Sequence, residues 1–167
     1  MIQIYTGNGK GKTTAALGLI LRALGRSWKV CLVQFMKKYE YGEIMELSKL
    51  PDIDVFQFGT PELIDPNSPS EIDIIEAEAG WKKAMEVVQS GDYNLVVVDE
   101  INVAVAWNLL SLDKQLQLMK AAKNCELIMT GRYAEEEVIN GADLVTEMKE
   151  VKHYYHSGLN ARKGIEF

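Results

Sequence analysis

Short apolar runs rich in β-branched residues alternate along the chain with longer stretches whose apolar positions recur every three or four residues. The runs Ile2–Tyr5, Val30–Phe35, Val55–Phe58, Leu95–Asp99, Glu126–Thr130 and Leu144–Glu147 read as strands. Asn94-Leu95-Val96-Val97-Val98-Asp99 is the clearest, and its unbroken apolar character is that of a parallel strand covered on both faces. Ile74, Ala77, Trp81, Met85 and Val88 fall at helical spacing, as do Leu112, Leu116 and Met119, with Ser111 placed to cap the latter. Another helix is expected from about Thr13. The alternation predicts an α/β fold of three layers, with a mainly parallel sheet of about six strands between helices. Gly59 to Ser70 holds three of the four prolines and reads as a loop, either a lid or binding segment or a plain surface excursion.

Composition narrows the class. A chain of 167 residues fits one domain spanning 1–167. Eighteen basic against twenty-four acidic residues leave a net charge of −6, which argues against a sequence-blind grip on nucleic acid or on an anionic membrane. The longest apolar stretches, near Ala15–Leu21 and Val103–Leu110, fall short of the roughly 20 residues a membrane span needs. The opening residues show no secretory leader, so a cytoplasmic location is expected. Cys31 and Cys125, far from any partner motif, are expected to be buried and reduced.

The chemical signal follows the first strand. Thr6-Gly7-Asn8-Gly9-Lys10-Gly11-Lys12-Thr13-Thr14 joins it to a helix. Glycines let successive N–H groups converge on one concave spot, and the helix start adds its own unsatisfied donors, so the loop suits phosphate oxygens. Lys12 can place an ammonium on the phosphates and the Thr13 hydroxyl can ligate Mg²⁺. The usual pattern is GxxxxGK[ST]; Thr6 stands at its first glycine, while Gly11-Lys12-Thr13 matches. Leu95–Val98 then runs into Asp99-Glu100, placing two carboxylates at the carboxyl edge of a parallel sheet, where ligands and Mg²⁺ bind. Alternation points the two side chains in different directions, so one is expected at the metal and the other at a neighbouring group. These elements serve kinases, ATPases and transferases alike. A GTPase is disfavoured because Asn160-Ala161-Arg162-Lys163 does not match NKxD.

The loop through Ala16, with Gly18 and Arg22, resembles that of P-loop ATP:corrinoid adenosyltransferases. So do Val33-Gln34-Phe35, Gly42-Glu43, Val98-Asp99-Glu100 and Thr130-Gly131-Arg132. The resemblance continues through Ala142–Met148 and Val151-Lys152-His153 to Gly158 and Ala161–Phe167, so it covers the whole chain. It implies a RecA-like P-loop fold and transfer of the 5′-deoxyadenosyl group of ATP to the cobalt(I) of a reduced corrinoid, cobalamin or cobyrinic acid a,c-diamide, with release of triphosphate. It implies that Asn8 to Thr14 bind the polyphosphate, that Thr13 and Glu100 support Mg²⁺, and that Arg22 reaches a phosphate. Lys12, Thr13 and Glu100 are then the expected catalytic residues. A homodimer with the corrinoid near its interface is implied too, as is a flavoprotein or other reductase that supplies cobalt(I). Two departures stand out. Leu63-Ile64-Asp65 lies where many members carry Phe-x-Trp on the corrinoid side, and the chain opens at the first strand where many members have an extension that covers the site. The rival readings are a small-molecule kinase or ATPase and a binding protein that holds nucleotide or corrinoid without turnover.

Smaller features carry weaker expectations. Arg132, after the fifth strand, is either a phosphate or substrate contact or a surface salt bridge. His153 and His156 read as surface or interface residues, with a corrinoid-proximal role for His153 as the rival. Trp28 and Trp107 read as packing residues. Met36-Lys37-Lys38-Tyr39 and Glu135-Glu136-Glu137 read as solvated faces.

Overall fold

The computed structural model describes residues 1–38 and 41–166; Tyr39 and Phe167, each part of a motif above, lie outside them. In chain order the elements are β1 (Ile2–Thr6), α1 (Lys12–Leu24), β2 (Val30–Gln34), α2 (Gly42–Leu47), β3 (Ile53–Gln57) and α3 (Glu71–Ser90). Then follow β4 (Leu95–Asp99), α4 (Ile101–Ala106), α5 (Leu112–Ala121), β5 (Glu126–Thr130), α6 (Glu136–Asn140) and β6 (Leu144–Glu147), with a 3₁₀ turn at Tyr154–Ser157. The strands form one parallel sheet in the order β3-β2-β4-β5-β1-β6. β5 therefore lies between the strand that feeds the glycine-rich loop and the strand that ends in Asp99, which is the RecA-like arrangement expected.

The two faces of β4 show why its apolar run is unbroken. Leu95 and Val97 join Ala16, Ile20 and Ala23 of α1 and Ile44 and Leu47 of α2 in one buried cluster. Val96 and Val98 join Ala77, Ala84 and Val87 of α3, Ile101 of α4 and Leu118 of α5 in the other. Side chains that alternate across a strand thus need a helical layer on each side. Edge strand β6 is exposed along its whole length.

Strand ends differ from expectation by a residue or two. β2 stops at Gln34 because Met36, at φ 56°, turns the chain away. β3 starts at Ile53, two residues early, with Asp54 accepting a 2.7 Å hydrogen bond from the Tyr93 hydroxyl. The 59–70 segment contains neither helix nor strand, as its prolines require. Cys31 is buried, and burial pushes its thiol up to about 12; Cys125 is only partly buried, and neither is in a disulfide. Among the described residues no helix is long and apolar enough to cross a membrane.

The longest helix has a reciprocal cap. The Ser70 hydroxyl accepts from the Asp73 N–H, and the Asp73 carboxylate accepts from the Ser70 N–H at 3.0 Å. Hydrogen bonds from the Ser70 hydroxyl, then its N–H, with a further one from Thr60, hold the Asp73 carboxyl below its ordinary value despite some burial. Ser70→Ala should lower unfolding stability by about 1 kcal/mol, read from a urea midpoint. A carboxyl whose folded pKa is depressed stabilises above its unfolded pKa and loses that contribution as pH falls through the folded value. The difference between Ser70→Ala and the parent should therefore shrink below about pH 4. An equal difference at pH 3 and pH 7 would rule out the Asp73 carboxylate as a contributor and leave the bond from the Asp73 N–H to the Ser70 hydroxyl.

Candidate active site

The glycine-rich loop is pressed against the chain that follows β6. The Gly9 N–H donates to the Met148 carbonyl at 2.7 Å, and a Cβ on Gly7 or Gly9 would come within 3 Å of that same oxygen. Gly7 and Gly11 take φ values of 94° and 121°, which side chains resist. Glycine is required here by close backbone approach as well as by turning. Inside the loop the Lys12 ammonium donates to the Gly7 carbonyl at 2.7 Å and the Gly9 carbonyl at 2.8 Å. Burial draws its pKa down, partly offset by the Glu100 carboxylate.

Asp99, fully buried at the end of β4, gathers the other elements. Its Oδ1 accepts from the Thr13 hydroxyl at 2.9 Å and the Thr130 hydroxyl at 2.6 Å. Its Oδ2 accepts from the Lys37 ammonium at 2.6 Å and the Gln34 amide at 3.2 Å. Burial alone would raise the Asp99 carboxyl, but the Lys37 charge and hydrogen bond, with those of the two threonines, hold it below its usual value. Lys37 in turn is drawn down by burial and raised further by Asp99, ending above the ordinary lysine value. This corrects the reading of Lys37 as solvated: its side chain is only 16% exposed. It lies where β2 delivers the chain to the carboxyl edge, a position readable from the end of that strand.

Glu100 has φ 65°, and its N–H donates to the Thr130 hydroxyl at 3.0 Å. Its carboxyl is raised by burial first and by the Asp99 charge second. The two carboxylates do diverge: Asp99 enters a hydrogen-bonded cluster, while Glu100, partly buried, lines the hollows beside it. Arg132 follows Gly131, whose φ of 129° leaves a Cβ no room against Asn102 and Val103. The Asn102 amide donates to the Gly131 carbonyl at 3.2 Å and accepts from Gln115 at 2.7 Å, a buried prop beneath that turn.

These groups line two adjoining hollows. A cleft of about 700 Å³ runs along Gly9–Thr14 and is walled by Lys37, Tyr41, Glu43, Glu100, Arg132, His153 and the 164–166 segment. A second cavity of about 330 Å³ is mainly apolar, lined by Phe35, Met36, Leu63, Ile64, Val103, Trp107 and Tyr133. Lys37, Tyr41, Glu100 and Arg132 belong to both. The 59–70 loop thus contributes a wall through Leu63 and Ile64.

Other expected residues fall elsewhere. Arg22 is not brought to the loop. It lies ten residues beyond Lys12 on α1, roughly 15 Å at 1.5 Å per residue, and lines a depression with Gln3, Arg26, Trp28 and Glu126. Thr6 secures strand ends instead of lining the cleft: its carbonyl accepts from the Met148 N–H and its hydroxyl from the Ala134 N–H. Asn8 is exposed on the loop. His156 pairs with Glu150 at 2.6 Å, while His153 Nδ1 accepts from the Tyr155 N–H. Trp28 is 41% exposed, so it packs less than expected; Trp107 packs on the core. Among the described residues no three His, Cys, Asp or Glu side chains form a metal cage.

The profile of the family described as ATP:corrinoid adenosyltransferase BtuR/CobO/CobP matches residues 1–167. The chain belongs to that family. The corrinoid adenosyltransferase of Pseudomonas aeruginosa strain PAO1 is 37% identical over 169 residues, covering 100% of this chain and 83% of that protein. Those of a Sinorhizobium species and of Escherichia coli K12 are 34% and 32% identical, over 100% of this chain and 80% and 85% of theirs. The structure of flagellar accessory protein FlaH from Methanocaldococcus jannaschii superposes with a TM-score of 0.57 at 14% identity, over 87% of this chain and 69% of that one, which shows the fold alone. A member of the ATP:corrinoid adenosyltransferases is an enzyme of cobalamin metabolism whose substrates are ATP and a corrinoid.

Proposed function

We propose that this enzyme, acting as one domain over residues 1–167, transfers the 5′-deoxyadenosyl group of ATP to the cobalt(I) of a reduced corrinoid and releases triphosphate. The observation that carries the reading is the wall shared by a phosphate-binding cleft and an apolar cavity. A nucleotide whose triphosphate lies along Gly9–Thr14 would extend toward that wall, and a flat apolar second substrate suits the other side. A corrin macrocycle with its side chains exceeds 330 Å³, so the cavity takes one face of it.

The chemistry asks for position and charge. Cobalt(I) supplies the electron pair that forms the cobalt–carbon bond, and the C5′–oxygen bond breaks with its pair going to triphosphate. The metal is formally oxidised by two electrons, and no proton need be removed from the nucleophile. The protein's work is then to hold C5′ in line with cobalt and to stabilise charge on the leaving oxygens. Loop N–H groups, Lys10 and Lys12 serve the second task, with Arg132 as a further phosphate or substrate contact. Lys37 and Glu100 fix the wall at which the two substrates meet.

Mg²⁺ fits the donor set: the Thr13 hydroxyl against Asp99, with Glu100 beside it, offers few protein oxygens and leaves the remaining positions to phosphates and water. When bound it neutralises triphosphate charge. A homodimer, a cytoplasmic location and a separate flavoprotein or other reductase for cobalt belong to the same reading.

The test is anaerobic incubation with ATP, Mg²⁺ and chemically reduced cobalamin, following the corrinoid spectrum and the phosphate products. A light-sensitive adenosylated product with stoichiometric triphosphate is expected. ADP and phosphate formed without need of cobalt(I) would instead establish a kinase or ATPase. Tight corrinoid binding with no product, from cobalamin or an incomplete corrinoid, would establish a binding protein.

A further inference from the structure

The motif Ala161–Glu166 returns to the phosphate loop. Gly158 and Gly164, at φ 81° and 80°, turn the segment back on itself, and it lands on Lys10. The Lys10 ammonium has three protons and meets three acceptors: the Tyr154 hydroxyl oxygen at 2.9 Å, the Ile165 carbonyl at 3.1 Å and Glu166 Oε1 at 2.7 Å. Two belong to this segment and the third to the 3₁₀ turn that precedes it. Glu166 is saturated in turn. Its Oε1 also accepts from the Tyr154 hydroxyl and from an Arg162 guanidinium nitrogen at 3.3 Å, and its Oε2 accepts from the Arg162 N–H at 2.7 Å and Nε at 3.3 Å.

We propose that Glu166 is a positioning residue for nucleotide binding, pinning Lys10 at the crest of the phosphate loop so that the cleft presents a preformed cationic rim to triphosphate. The proposal rests on the reading of the loop as the triphosphate site. Two observations support positioning over competition between Glu166 and phosphate. Both carboxylate oxygens are already engaged, and with Lys10 and Arg162 the cluster carries one net positive charge. In addition, Gly164, Ile165 and Glu166 wall the cleft opposite Gly11–Thr14. A lysine flanked by Gly9 and Gly11 and 38% exposed would otherwise lose rotamer freedom on meeting a phosphate, and the segment imposes that restriction in advance.

Equilibrium binding of ATP with Mg²⁺ to the full chain, without corrinoid, tests this. Glu166→Gln should weaken ATP by about two- to fivefold, the scale of a partly exposed charged contact, and Glu166→Asp should recover part of the loss. In turnover, the loss should fall mainly on KM for ATP, with a smaller fall in kcat because Lys10 also meets the charge on the leaving oxygens, while KM for the corrinoid stays within about twofold. Unchanged ATP affinity in Glu166→Gln overturns the proposal, and tighter binding overturns it in favour of a carboxylate that competes with phosphate. Absence of transfer by the parent protein overturns the adenosyl-transfer reading alone, because the binding measurement contains no corrinoid.

Discussion

Replacing Lys12 by alanine is expected to lower kcat/KM for ATP by about 10²- to 10³-fold while leaving the protein folded. This ammonium rests on the carbonyls of Gly7 and Gly9, two neutral acceptors of the loop. Burial opposes its charge, so the cation is held at some cost until an anion arrives. Triphosphate offers charged oxygens in exchange for neutral ones, and such hydrogen bonds are about twice as strong. The gain grows as negative charge collects on the leaving group, so both KM and kcat should suffer. Lys12→Arg should not rescue, because a planar guanidinium cannot occupy the narrow position between two carbonyls that a compact ammonium fills. Steady-state kinetics with a thermal melt checks this; activity within tenfold of the parent would remove Lys12 from the reaction.

The second large effect concerns stability. Lys37→Met should destabilise the fold by about 3 kcal/mol, because Asp99 is fully buried and Lys37 is the cation bonded to it. Thr13, Thr130 and Gln34 still donate to the carboxylate, which limits the loss without replacing the charge. Adding Asp99→Asn to Lys37→Met should recover much of the stability, since the amide removes the stranded anion. A double-mutant cycle in urea gives the coupling directly. Loss of the same size from Lys37→Met with or without Asp99 would show that Lys37 acts through its packing alone.

How far the residues announced this arrangement depends on the kind of signal. The sheet was legible because a buried parallel strand must be apolar on both faces, and Leu95–Val98 is a short unbroken apolar run of that kind. The loop was legible because three glycines in the five residues between a strand and a helix mark a backbone that bends tightly. Helices α2, α4 and α6 were not, since five or six residues make too few turns for a periodicity to emerge. Lys37 was misread because Met36-Lys37-Lys38-Tyr39, with its paired lysines, looks solvated until the neighbouring strand shows that Lys37 faces Asp99. The phosphate role of Arg22 was implied by the resemblance and by no local pattern, and α1 carries Arg22 ten residues beyond Lys12, to the depression with Gln3 and Trp28. The contact of Glu166 with Lys10 spans 156 positions, and no local pattern carries such a contact.

The wall between the two hollows has a consequence for binding order. Lys37, Tyr41, Glu100 and Arg132 each line both hollows, so a ligand that settled any of them on one side would alter what the other side meets. Linkage makes that influence mutual: whatever factor nucleotide contributes to corrinoid affinity, corrinoid returns to nucleotide affinity. Triphosphate left in the cleft after transfer would speak to the corrinoid through the same four side chains. On the proposed reaction, the affinities of the two products would then be coupled through one partition.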